Sequence, residues 1–89
     1  MTTHNLKCWP VPFQAILDGR KTCEIRTTDR DFQCGDRMVL KEWDKNHDGL
    51  YQGDHYTKRE IAATITHIVM PGQWGLPADL CVLSFKKDS

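Results

Sequence analysis

Eighty-nine residues carry twelve basic and twelve acidic side chains, 39% hydrophobic residues and no net charge at neutral pH. A chain of that length predicts one domain over residues 1–89, burying about 60–65% of its unfolded surface. The charge balance argues against indiscriminate binding to nucleic acid or anionic membrane, while leaving room for a local basic patch. There is no run of about 18 apolar residues to span a membrane. The opening Met1–Lys7 lacks an apolar signal core, so the expectation is a cytoplasmic protein; the sequence leaves the oligomeric state open, with a monomer favoured.

Leu6 to Trp9 reads as a short strand ended by Pro10. Pro10 and Pro12 suit a first helical turn, and Phe13, Ile16 and Leu17 then share one apolar face. Gly19 is placed to stop that helix. Thr22 to Thr27 alternates as a strand, with Cys23 and Ile25 on one face and Thr22, Glu24 and Arg26 on the other. Thr28 to Gly35 is polar and turn-like. Met38 to Trp43 predicts a third strand, and Asp44 to Asp54 a loop or long hairpin end. Tyr56 to Met70 predicts the longest strand, with Ile61, Ala63, Ile65 and Val69 on one face. His67 falls in the same phase, as an inward-facing barrel histidine. After a Pro- and Gly-marked loop, Leu80 to Phe85 is a nearly continuous apolar run, fitting a strand buried on both faces. Lys86 to Ser89 is expected to fray.

About five strands and one short helix favour a small closed or nearly closed barrel, because closure removes exposed edges. The class is α+β, mainly β.

Metal and thiol chemistry find little support in these spacings. Cys8, Cys23, Cys34 and Cys81 form no CxxC pair and are expected to be free thiols, with packing as their role. His4, His47, His55 and His67 make no HxxxH or HExxH pair. Asp44 to Gly49 imitates the first half of a calcium-binding loop, but the closing ligand position falls on His55 in place of a bidentate glutamate. No metal and no cofactor is expected. A catalytic Cys23–His67 pair would need a contact that no local spacing predicts.

The segment Gly19-Arg20-Lys21-Thr22-Cys23-Glu24-Ile25-Arg26 is the most informative. A glycine turn delivers Lys21 to the start of a strand on which Glu24 and Arg26 share a face. An ammonium, a carboxylate and a guanidinium gathered this way can bind a phosphate, a carboxylate or the polar edge of a base. A surface salt bridge between Glu24 and Arg26 explains the same residues more simply, and the pattern leaves both readings open. Arg30 and Arg59 can add to a basic rim, with Asp29 and Asp31 as turn residues beside Arg30. Trp9, Trp43, Tyr51, Tyr56 and Trp74 are candidates for stacking on a base. Trp9 and Trp74 lead because they adjoin Pro or Gly turns.

GRKTCEIR resembles the GxKxxExR signature of ASCH domains, a branch of the PUA-like superfamily. His4 to Lys7, the Phe13, Ile16 and Leu17 helix, Asp29 to Phe32 with Gly35-Asp36, Tyr56 to Arg59, Gly75-Leu76 and Cys81 to Phe85 resemble, in order, the small DUF3850-type subgroup. Thr28, Cys34 and Lys58 stand where that subgroup usually has Asn, Val and Gly. The resemblance implies a PUA-like mixed β-barrel of five or six strands with one or two short helices. It also implies a cleft lined by Lys21, Glu24 and Arg26 that takes RNA or a nucleotide-like small molecule.

The resemblance implies an enzymatic alternative as well, a hydrolase acting on a modified nucleoside or on RNA, with Lys21 and Glu24 as catalytic residues. ASCH amidohydrolases that deacylate acetylated cytidine use a lysine at the Lys21 position, a threonine at the Glu24 position and a later glutamate. Here Glu24 replaces the threonine, and no obvious counterpart to the later glutamate is present. A third alternative is an accessory protein-interaction domain.

Overall fold

Alternation of inward and outward side chains builds almost the whole molecule. The computed structural model describes residues 1–47 and 53–88, so Tyr51 and the Asp48-Gly49 end of the calcium-like segment lie outside the described residues. Five strands, β1 (Thr3–Cys8), β2 (Cys23–Thr27), β3 (Arg37–Trp43), β4 (Tyr56–Val69) and β5 (Leu80–Lys87), join in one sheet of spatial order β1-β3-β4-β5-β2. β1 runs parallel to β3, and the other pairs are antiparallel. One helix, α1 (Pro10–Leu17), fills the parallel crossover together with β2.

The sheet curls into a half-barrel. Its inner face carries Leu6, Cys8, Met38, Leu40, Ile61, Ala63, Ile65, Cys81, Leu83 and Phe85, and α1 adds Phe13 and Ile16 to this core. Leu17 stays largely exposed, so two of the three predicted helix residues pack inward. Gly19, at φ +82°, ends the helix in the left-handed conformation glycine adopts at least cost, and its N–H donates to the Ile16 carbonyl.

Closure is incomplete. β1 and β2 form the two edges and share no ladder of backbone bonds. A side chain joins them instead: Arg26 Nη2 on β2 donates to the Lys7 carbonyl on β1 over 2.8 Å.

Four expectations need correction. β2 is inverted relative to a usual amphipathic strand: Glu24 is buried, while Ile25 is 63% exposed and Cys23 faces solvent. Cys34 is exposed too, so packing explains only Cys8 and Cys81. His67 points outward because a β-bulge between Ile65 and His67 shifts the phase of β4, letting Ile68 pack against the core in its place. β5 is buried on one face only, and it runs on through Lys87. Its end is tied down: Asp88 N–H donates to the Ala62 carbonyl, and Arg37 pairs with Asp88 at 2.6 Å.

The β2–β3 loop is fixed by Asp36. Its buried carboxylate accepts from His4 Nε2 at 2.8 Å and from the backbone N–H of Thr2 and Gln33. These bonds hold its acid below the ordinary range, the His4 bond contributing most. The loop anchor is therefore Asp36; among the described residues Asp31 is engaged by the Gln33 side chain alone.

Candidate functional site

Glu24 faces inward at the seam where β1 and β2 fail to pair. Its side chain is 10% exposed and contacts two cations. The Lys21 ammonium bonds to Oε1 and also to the Cys23 carbonyl. The Arg26 guanidinium stands 3.1 Å from Oε2. Local sequence explains the convergence. The Gly19 turn brings Lys21 back toward the strand, and a two-residue step along β2 puts Glu24 and Arg26 on one face. Arg26 Nε is buried without a hydrogen-bond partner among the described residues.

This cluster borders a cleft of about 240 Å³ lined by Lys7, Cys8, Trp9, Pro12, Glu24, Ile25 and Arg26. Trp9 is 48% exposed and meets Trp43 edge-on, with ring centroids 4.9 Å apart. Lys7 Nζ lies 4.5 Å from the Trp43 ring centroid and 5.7 Å from that of Trp9. Lys21 and Arg26 thus flank one carboxylate and Lys7 lines the same cleft, a local surplus of positive charge in a protein of zero net charge.

A second cluster flanks the other side of β1. Glu42 accepts from Thr57 Oγ1 at 2.7 Å and from Arg59 Nε and Nη2, both at 2.8 Å. The paired Arg59 guanidinium holds the Glu42 acid below the usual carboxylate range. Arg59 also lies over the Phe13 ring, 4.9 Å from its centroid. An open cleft of about 330 Å³ adjoins this pair, lined by Asn5, Leu6, Lys7, Lys41, Glu42, Tyr56, Lys58, Arg59 and Glu60. Buried Cys8 sits within reach of both carboxylates. Burial first, and then Glu24, pushes its thiol up to about 11 against the lowering effect of Arg26 and Lys21.

Of the predicted residues, Lys21, Glu24, Arg26 and Trp9 meet at the seam, and Arg59 lines the neighbouring cleft. Arg30 and Trp74 go elsewhere. Arg30 borders a smaller, mainly apolar hollow with Phe32, Ile68 and Cys81. Trp74 sits 95% exposed on a short 3-10 turn, Gln73–Gly75, and lines neither cleft. Chain separation explains this: both belong to the connections beyond the Thr27 end of β2, where Thr28 N–H donates to the Asp79 carbonyl.

Sequence reasoning missed Lys7 and Glu42. The Glu42 signal was available, since Met38, Leu40 and Glu42 share the inward phase of β3 and a charged group there demands a partner. Among the described residues no three His, Cys, Asp or Glu side chains gather as metal ligands, and no helix is long and apolar enough to cross a membrane.

Half-barrel, single helix and charged seam define a small β-rich domain with its candidate site at the gap between two edge strands. The family described as "Domain of unknown function (DUF3850)" matches residues 3–85, and the chain belongs to that family. It is also similar to the "Uncharacterized 12.9 kDa protein in GpA 3'region" of Escherichia phage P2. The two are 31% identical over 71 residues, which is 80% of this chain but only 58% of the phage protein.

Proposed function

We propose that this domain is an ASCH-type member of the PUA-like superfamily that binds RNA or a nucleotide-like ligand at the β1–β2 seam. One observation carries the reading: the inner face of β2 holds a nearly buried carboxylate between two cations, directly beside a half-exposed indole. A strand that turns an isoleucine to solvent in order to bury an ion cluster serves stability poorly, because buried ion pairs scarcely repay their desolvation. The arrangement suits recognition. Trp9 offers a stacking face, Lys7 and Arg26 supply charge for a phosphate or base oxygen, and Glu24 holds Lys21 and Arg26 in place.

Amide shifts followed by NMR during titration with uridine monophosphate and with acetylated cytidine test this reading. The expected shifts lie at Lys7, Trp9 and Glu24 to Arg26. Trp9→Ala should weaken binding about tenfold, given a stacking contribution of about 1–3 kcal/mol. Absence of shifts at millimolar ligand, or shifts confined to residues outside the seam, would refute the proposal. Release of acetate from acetylated cytidine, abolished by Lys21→Ala, would move the reading from binding to hydrolysis.

A further inference from the structure

We infer that the ligand is a single-stranded oligonucleotide, whose backbone continues from the seam across Lys7 into the larger cleft on the far side of β1. This rests on the nucleotide-binding reading of the seam and extends it from one nucleotide to a strand.

Continuity is the first argument. Lys7 lines both clefts, so they are adjoining segments of one surface and not separate hollows. The second argument is charge. The larger cleft brings Lys7, Lys41, Lys58 and Arg59 against Glu42 and Glu60, a surplus of cations that repeats the surplus at the seam. A polyanion matches two adjoining cationic hollows better than a mononucleotide, which has phosphate at one end only.

The third argument concerns which cations are available. Glu42 grips Arg59 in a bidentate pair, which makes Arg59 a fixed part of the floor. Lys41 stands 3.8 Å from Glu60, and Lys58 stands 3.4 Å from Asp54. Both are loose surface pairs with exposed lysines, and such pairs hold their partners weakly. Exchanging those carboxylates for phosphates costs little, so the two lysines are the groups free to follow a strand. Lys58 is also held at φ 75°, an uncommon conformation for a residue with a side chain, near the start of β4, and it lines the larger cleft.

Binding of uridine monophosphate and of oligouridylates two to eight nucleotides long, each measured across a salt series, tests the inference. Lys41→Ala combined with Lys58→Gly removes both charges. Glycine also suits the left-handed backbone at position 58, and circular dichroism with thermal melting verifies the fold. Affinity of the unmodified protein should rise with oligomer length. In the double variant, octamer affinity should fall about tenfold and the slope of log K against log salt by about 1.4, from roughly 0.7 for each lost phosphate contact on a single strand. Uridine monophosphate binding should be unchanged. An octamer bound by the variant with unaltered affinity and slope would overturn the inference while leaving the seam reading intact. Failure of the unmodified protein to bind either ligand would overturn both.

Discussion

Arg26 belongs to both the fold and the candidate site, and Arg26→Ala measures what it gives the fold. Its guanidinium donates to the Lys7 carbonyl across the open edge and neutralises one oxygen of Glu24. A hydrogen bond from a charged donor contributes about 1.5–3 kcal/mol, and the low end applies at the Lys7 carbonyl because water can replace the lost donor there. Glu24 is nearly buried and keeps only Lys21, so losing the second cation adds about 1.5 kcal/mol. The expected loss is about 3 kcal/mol, or roughly 12–24 °C in melting temperature for a domain of this size. Urea unfolding should show a lower midpoint at constant slope. Arg26→Lys keeps the charge but cannot reach both partners, and should lose about half as much. A double-mutant cycle with Glu24→Ala should give a coupling of about 1 kcal/mol or more. A loss below about 1 kcal/mol for Arg26→Ala, with no coupling to Glu24, would refute the claim that this residue joins the edges.

Leu83 is fully buried, and Leu83→Ala should destabilise by about 2–5 kcal/mol in the same urea assay through loss of apolar contact and an unfilled cavity. Alkylation of the native protein followed by mass spectrometry should label Cys23 and Cys34, with Cys8 and Cys81 reacting only on unfolding. Asp36 and Glu42 have folded acidities below their ordinary values of 3.8 and 4.5, so their contribution is present above those values and lost as pH falls through the depressed ones. Melting temperature should therefore drop below about pH 4, and Asp36→Asn should flatten that drop. Cys8 acts at the other end. Its folded thiol at about 11 lies above the ordinary 9.0, so stability should fall as pH rises from 9 towards 11; Cys8→Ser should shrink that fall, and Cys81, whose thiol burial also raises, accounts for a remainder.

How far the sequence could be read depended on whether a segment obeyed simple alternation. α1 was legible because two prolines and a glycine bracket Phe13 and Ile16. β3 was legible because Met38 and Leu40 keep one phase. The convergence of Lys21, Glu24 and Arg26 followed from a glycine turn and a two-residue step. What misled was the assumption that apolar faces point inward. β2 buries Glu24 and exposes Ile25, and this becomes intelligible only once Lys21 and Arg26 surround the carboxylate. The curled five-stranded sheet was legible, but its open edge was not. The pattern shows that five strands share a core, while the missing β1–β2 ladder depends on long-range geometry. Trp74 was promoted for its neighbouring glycines, yet those glycines serve a remote turn.

The β-bulge between Ile65 and His67 has a consequence for how β4 tolerates changes in length. Ile65 sits opposite Phe85 and His67 opposite Ser84, so Thr66 has no counterpart on β5. It is a spare residue. Deleting it would leave Ile65 and Ile68 inside and His67 outside, with every later partner unchanged. Deleting Ala63 instead would turn one end of the strand inside out, because side-chain direction reverses with each residue. In a strand of fourteen residues, one position can thus absorb a deletion that its neighbours cannot.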